Sequence, residues 1–535
     1  MLFTLQKYVF HELLKVFLPA VVALTLILSL GSVLQPVQEY GVGPKQAVHL
    51  MGYFLPITLT FVLPIAALFA GALVYGRFAG DNELDACKAS GISILTLAHP
   101  GLALALIVAA ANLALSFYVT PLFVRLAEKS LKADAKQILF RNLQRRGYYK
   151  LELPTEDYYR IYADYVDPEN DTLAGVVVAE VRSGRIEKIT ATDSANVSFH
   201  ARNASNYVQI TARHTYQLGP PGEGGWAHES ERLPITKEFG SLLGDDIAFK
   251  KLSEMKEIRA DLMRFNPIAE RARKAYAQLV TELLVQDITS HLSGETDNFY
   301  RLHSDDKVVE FSAGQCALKA EKTVELSGEI VVVEYDAHTM ERLRTLRSAS
   351  ASLHVMGDEL APSLTLDIRS ARIEDSGELK MRHVIRGLEL PQDLKNTLGQ
   401  VRPLQNVRPE SVSSVLQDGP SSTLSRFQSA LDRTIRDVLV EIKAEIHSRL
   451  AFGVGCVPMI LIGIGLGVIK RGGHVLSAFG ASCVPAAVLI VCIISGKRLT
   501  ENLGSRAISG VILMWSGFVV LSVLTVVLYR RLMKN

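Results

Sequence analysis

Leu50–Gly76 reads LMGYFLPITLTFVLPIAALFAGALVYG, 27 residues without a charge. At a rise of about 1.5 Å per residue, a helix of this run crosses a hydrocarbon core of about 30 Å. Val16–Leu34 precedes it and Gly101–Val124 follows, both uncharged. Leu450–Ile469, Val475–Ser495 and Gly510–Leu528 repeat the pattern near the other end of the chain. A buried helix of a soluble protein rarely stays apolar on every face for so long. The residues between the two groups are polar. The expected fold is therefore an α+β membrane protein with six transmembrane helices, three plus three. A large β-sandwich or jelly-roll-like domain sits between helices three and four. The expected boundaries are 1–124, 125–449 and 450–535.

Composition agrees. Apolar residues make up 48% of the chain and the mean hydropathy is +0.20, despite the polar middle. A net charge of +2 gives no basic balance that would call for nucleic acid. Gly31-Ser32-Val33-Leu34-Gln35-Pro36 is a weak cleavage context, and five further spans favour a retained first helix. Lys and Arg in the short loops set the orientation. With the N-terminus inside, the inner segments hold Lys7, Lys15, Arg77, Lys88, Lys470, Arg471, Arg530, Arg531 and Lys534. The outer short loops hold Lys45, Lys497, Arg498 and Arg506. Both termini are then cytoplasmic and residues 125–449 lie outside, in the periplasm of a bacterial inner membrane protein. Of five cysteines only Cys316 falls in that outer domain, so no disulfide staples it.

The outer domain reads mainly as strands. Tyr158–Tyr162, Gly175–Val181, Arg185–Thr190 and Asn206–Thr211 partly alternate apolar and polar residues between turn signals. Gly219–Gly225, rich in Gly and Pro, reads as a loop. A second strand-rich stretch runs over 307–388, clearest at Thr323–Tyr335 and Ser363–Ile368. Between the two, 252–292 has helical spacing interrupted at Pro267. One sandwich with a helical insertion, or two β lobes, both fit. Asp167-Pro168-Glu169-Asn170-Asp171 reads as an acidic hairpin tip rather than a calcium loop. Residues 401–426, rich in Pro, Ser and Gln, read as a linker. Leu431, Ile435, Val438, Leu439, Ile442 and Ile446 then form one helical stripe leading to span four.

Much chemistry is missing. The chain has no Gly-x-x-x-x-Gly-Lys-Ser/Thr phosphate loop. His11-Glu12 begins a metal-binding pattern that fails at Lys15, and no paired Cys-x-x-Cys occurs. No cofactor is expected, and no catalytic cluster suggests an enzyme. The spans are nearly free of ionisable residues, which argues against a proton relay. Asn112 is the main polar exception, read as a helix–helix hydrogen bond. A transporter outline without an energy source points to a partner that hydrolyses nucleotide.

The inner loop between spans two and three could receive that energy. Asp81 or Asn82 can cap a short helix, Gly91 can end it in a left-handed conformation, and Ser93 can cap the next. The result is a helix across the membrane face over about 77–93, suited either to a groove on an ATPase or to an ordinary capped loop.

Pro64-Ile65-Ala66-Ala67-Leu68-Phe69-Ala70-Gly71-Ala72-Leu73, then Asp81-Asn82-Glu83-Leu84 and Ala89-Ser90-Gly91-Ile92-Ser93, resembles the LptF/LptG family. Those are six-span permeases of lipopolysaccharide export. The resemblance covers residues 1–135 and returns over 440–535, where Glu445-Ile446-His447-Ser448-Arg449 precedes span four. It is weak between, where the outer domain is much longer than the family plan. The resemblance implies a second permease copy or paralogue and a cytosolic ABC ATPase on the inner helix. It implies that lipopolysaccharide enters between spans one and five and leaves through the outer β domains to a periplasmic bridge of β domains. The residues it implies for ATPase coupling are Arg77, Asp81, Glu83, Leu84, Ala89, Ser90 and Gly91, with Glu83 at the family's acidic position. Family members often carry a basic residue at the outer end of span one, where this chain has Val33, Leu34 and Gln35. Lys45, Lys497 and Arg498 are then candidates for substrate phosphate, or anchors to ordinary headgroups. Each CH₂ exposed to water costs about 0.8 kcal/mol, so acyl chains need cover, with Val177 and Ile210 expected to face inward. A permease for another lipid or a lipoprotein, or a membrane-anchored binding scaffold, are the alternative readings. Six spans argue against the lipoprotein class, whose permeases usually have four.

Overall fold

The computed structural model describes residues 2–40, 44–133, 135–152, 158–182, 184–202, 205–219, 227–239, 246–292, 299–304, 306–320, 322–358, 361–374, 377–399, 402–416, 419–469, 475–502 and 507–534. The protein is mixed helix and sheet. Among the described residues, six stretches are long and apolar enough to cross a membrane: Phe3–Gly31, Val48–Gly80, Ile94–Leu131, Ser422–Ile469, Cys483–Glu501 and Ile508–Met533. The chain divides into two compact units, residues 1–260 with 437–535, and residues 261–436.

The first unit opens with helices α1 (Leu2–Tyr40), α2 (Pro44–Gly80), α3 (Glu83–Ala89) and α4 (Ile94–Ala114). A π-helical turn, Leu115–Val119, leads into α5 (Thr120–Ala133) and α6 (Ala135–Arg146). Asn112 donates to the Thr60 carbonyl at 2.6 Å, the helix–helix bond expected of it. The reason lies four residues past Thr60. Pro64 has no N–H, so the Thr60 carbonyl lacks its intrahelical donor, and Asn112 supplies one from α4.

Six antiparallel strands follow: β1 (Tyr148–Glu152), β2 (Tyr158–Asp167), β3 (Thr172–Arg182), β4 (Arg185–Arg202), β5 (Ser205–Leu218) and β6 (Ala227–Phe239). They pair in sequence order as one meander. Leu139, Phe140 and Leu143 of α6 pack on Ile161, Ala163, Val166, Leu173, Val176 and Val197. Ile210 joins this core half-buried, as expected. Val177 does not. Alternation breaks at Asp164 on β2 and at Gly175 on β3, whose φ of 60° only glycine adopts freely. Val176 therefore takes the inward position and Val177 points to the other face between Tyr162 and Ala191. The acidic tip between β2 and β3 is an Asx turn, with Asp167 Oδ1 accepting from the Glu169 and Asn170 amides at 3.0 and 3.3 Å. The Gly-Pro loop lies outside the described residues over 220–226.

The second unit contains α8 (Asn266–Leu292), preceded in the first unit by α7 (Leu252–Ala260). The helical stretch breaks between Ala260 and Asn266, and Pro267 stands in the first turn of α8, where its fixed φ is allowed. Next come β7 (Tyr300–His303), β8 (Lys307–Ser312), β9 (Gln315–Ala320), β10 (Thr323–Asp336), β11 (Arg342–Asp358), β12 (Ala361–Ile373) and β13 (Leu379–Glu389). The sheet order is β13-β12-β11-β10-β8-β7, with β9 also on β10. Strands β8 and β9 share β10 because it bends where Gly328, at φ 95°, crosses Gly314. A Cβ on Gly328 would lie 3.1 Å from the Gly314 Cα. Among the described residues the first sheet pairs each strand with its successor, whereas in the second β8 skips β9 to lie beside β10. The jelly-roll expectation is corrected on this point: the first sheet is a plain six-stranded meander, and the second departs from sequence order at β9 alone among the described strands. Helix α8 is buried on all sides over Ala275–Leu284.

Helices α9 (Gln392–Leu398), α10 (Pro403–Asn406) and α11 (Pro409–Val415) come before α12 (Ser422–Ile469). The stretch read as a linker thus holds two short helices, each opened by Pro. Helices α13 (Val475–Asn502) and α14 (Ala507–Lys534) complete the first unit. Gly463 and Gly467 of α12 face α2 so closely that a Cβ would lie 2.6 Å from the Leu68 carbonyl and 2.5 Å from that of Ala72. Two glycines four apart let the helix backbones touch, a common way to join helices in lipid.

Candidate functional site

The loop between α2 and α4 is built by local rules. Residue 82 begins α3, but not as a side-chain cap. Asn82 sits at φ 58°, a left-handed position that Asn tolerates, and its side chain makes no capping bond. At the other end Gly91 takes φ 80°. Its amide donates to the Lys88 carbonyl at 2.9 Å, and the Ile92 amide to that of Cys87 at 3.0 Å. This is the Schellman arrangement that only Gly adopts without strain. Ser93 then caps α4, accepting from the Thr96 amide at 3.3 Å.

One side chain seats the helix. Leu84 is buried among the residues packing α1, α2 and α4, including Val9, Leu13, Phe78 and Leu97. Cys87 and Ile92 pack half-buried against the same cluster. Asp81, Asn82, Glu83, Ala86, Ala89, Ser90 and Gly91 are exposed. A seven-residue helix is too short to hold itself in water, so Leu84 and the two ends fix it. Arg77 stands apart from this exposed face. Its guanidinium reaches Glu12 of α1, Nη2 to Oε2 at 2.6 Å. Sequence spacing could not reveal this pair, because its members lie 65 residues apart.

The three basic candidates are not brought together. Lys45 falls in the first turn of α2, and its side chain lies outside the described residues. Arg498 is exposed. Lys497 is engaged: its Nζ lies 2.7 Å from Glu445 Oε2 and 4.0 Å from Glu501 Oε1. The other Glu445 oxygen takes Arg449 Nε at 2.8 Å. Arg449 also donates to the carbonyls of Ser116, Lys250 and Ala248 at 2.9, 3.2 and 2.7 Å, and lies over the Phe117 ring. One buried arginine thus joins the π-helical turn, α12 and the segment before α7. In the predicted stripe Leu439 is exposed, while Glu445 and Arg449 are buried beside it.

A family model described as lipopolysaccharide export system permease LptF/LptG matches residues 7–222 and 328–531. The chain belongs to the LptF/LptG family. An LptF/LptG protein is a component of a lipopolysaccharide exporter, not an enzyme, and the six apolar helices make this one a multi-pass protein of the inner membrane. A comparison with curated proteins finds no match. The LptF/LptG match includes α3, Glu12 and the Glu445–Arg449 pair, and leaves out residues 223–327. The unmatched stretch holds β6, α7, α8, β7, β8 and β9.

Proposed function

We propose that this chain is the permease subunit of an ABC-type exporter that takes lipopolysaccharide from the inner membrane and hands it to a periplasmic bridge of β domains. Three spans precede the β-rich part and three follow it; both termini are cytoplasmic and the β-rich part is periplasmic. A second permease copy or a paralogue completes the membrane unit. A separate cytosolic ATPase supplies the energy and docks on α3. The observation that favours this reading is α3 itself: a helix held by Leu84 and a glycine end, with Glu83, Ala86 and Ala89 on its exposed side. In this reading Glu83 contacts the ATPase, while Asp81, Ser90 and Gly91 shape the rim of the contact. Leu84 acts from beneath by holding the helix. Arg498 and Lys45 are the candidates for substrate phosphate, with Lys497 tied to Glu445.

Glu83→Ala tests the reading. The exposed carboxylate contributes only about 0.3–1 kcal/mol to its own helix, so the variant should reach wild-type levels in the membrane. It should lose most of the co-purifying ATPase and of lipopolysaccharide export. Normal ATPase recovery and normal export would remove Glu83 from the mechanism.

A further inference from the structure

We propose that Glu12 is a positioning residue of the transport cycle: through Arg77 it ties the α3 loop to the first transmembrane helix. The inference rests on the reading of α3 as the ATPase contact and extends it to the element that receives the motion. Glu12 comes from the failed metal pattern His11-Glu12, and its role is electrostatic. Its side chain is only 11% exposed, and both oxygens are engaged. Oε1 takes Lys15 at 2.7 Å and Oε2 takes Arg77 at 2.6 Å. Lys15 lies three residues away on the same helix and can carry nothing between elements. Arg77 belongs to α2 and holds two things at once. Its side chain grips Glu12, and its carbonyl accepts the Asp81 amide at 2.9 Å, at the entry to the loop.

A second contact runs beside the first. Tyr8, one turn before Glu12, stacks on Phe78 at 5.9 Å, and the Arg77 guanidinium lies 5.5 Å from the same ring. Tyr75 meets Phe78 edge-on at 6.3 Å. Leu84 of α3 shares its cluster with Val9 and Leu13 of α1. A push on α3 therefore meets α1 through an ion pair, an aromatic stack and an apolar contact within two turns. Apolar packing permits sliding. A 2.6 Å charge-assisted bond to a carboxylate that is almost buried does not, so the ion pair is the link that sets direction. A charge pair joining the end of α2, where the loop begins, to α1 passes displacement on; replacing it by a neutral pair leaves the packing but loosens the register.

The test uses the exporter purified with its own ATPase and partner permease, in proteoliposomes containing lipopolysaccharide. The readouts are membrane level, ATPase recovered, and lipopolysaccharide released per ATP hydrolysed. Glu12→Gln should keep level and ATPase recovery within about twofold, yet lower release per ATP by about fivefold or more, the lower edge of ordinary coupling. Glu12→Asp should recover most of that loss, and Lys15→Ala should change nothing. The double exchange Glu12→Arg with Arg77→Glu should exceed either single exchange. Unchanged release per ATP in Glu12→Gln overturns the proposal, and so does a parallel loss of level and ATPase, which marks a purely structural pair. Glu83→Ala is measured alongside. If it keeps its ATPase, the α3 reading fails; if it loses the ATPase while Glu12→Gln transports normally per ATP, only the role of Glu12 fails.

Discussion

Lys497 and Arg498 are neighbours in sequence and differ in surroundings. Lys497 is held by Glu445, which also binds the buried Arg449, whereas Arg498 is exposed. Breaking the first contact leaves Glu445 with one cation in place of two. For a lysine 30% exposed the cost is roughly 1–3 kcal/mol, below that of a fully buried pair. Lys497→Met should therefore lower thermal stability and export together, whereas Arg498→Gln should leave stability unchanged and slow export of a phosphorylated lipid. Unfolding curves and export assays on both variants separate the cases, and a stable Lys497→Met with slow export would reverse the assignment. The end of an apolar run places both residues at the membrane boundary. The sequence does not tell them apart, because Glu445 lies 52 residues away and pairing at that distance leaves no local pattern. Glu12 and Arg77 escaped for the same reason. Asn112 was legible as a helix–helix contact because an amide in an apolar run has few other uses; its partner follows from Pro64 once α2 and α4 are side by side.

At the scale of elements, close approach and buried charge decide what each helix and strand tolerates. A Cβ on Gly467 would lie 2.5 Å from the Ala72 carbonyl and 3.0 Å from the Gly76 amide, both backbone atoms that cannot turn aside. Gly467→Leu should part α2 from α12 and cost about 1–3 kcal/mol or more, whereas Gly52→Leu, with open space around it, should cost little. Melting curves of the two variants in one detergent check this, and equal melting would contradict the packing. In the second sheet, Glu334 on β10 is fully buried and meets Lys307 of β8 at 3.0 Å, Arg344 of β11 at 3.0 Å and His383 of β13 at 2.7 Å. Burial alone would raise its carboxyl. Hydrogen bonds from His383 and Lys307 and the Arg344 charge outweigh burial and hold it at about 2. Because the folded value lies below the ordinary 4.5, the stabilisation is complete above about pH 4.5 and is lost as pH falls toward 2. Glu334→Gln should thus melt lower at neutral pH and lose less on acidification. An acid limb as steep as that of the unaltered protein would contradict this. The ends of α3 were readable because a glycine stop and a lone leucine are local signals. The left-handed Asn82 was not, since Asn suits both a cap and that conformation.

Across the whole molecule, the apolar helices were the most legible part, because a membrane span declares itself in one continuous stretch. Strand content was legible too, since Val176–Val178 and Ile330–Val333 read as β wherever they pair. The choice between one sandwich and two β lobes was not, because strand partners are chosen across loops whose length and direction the alternation does not record. The family match skips residues 223–327, and the structure shows what that stretch adds. Helix α8 and strands β7, β8 and β9 build on β10, so the added residues share a core with matched ones rather than forming a separate appendage. The added stretch leaves the α3 loop intact, the loop proposed to receive a nucleotide-hydrolysing partner. The most direct measurement is site-specific photo-crosslinking from Ala86, which is exposed on α3 one turn from Glu83, in membranes containing the assembled exporter. One dominant crosslink is expected, to an ATP-binding subunit, lost in Glu83→Ala. Crosslinks from Ala86 only to lipid, or to a protein that binds no nucleotide, would contradict it.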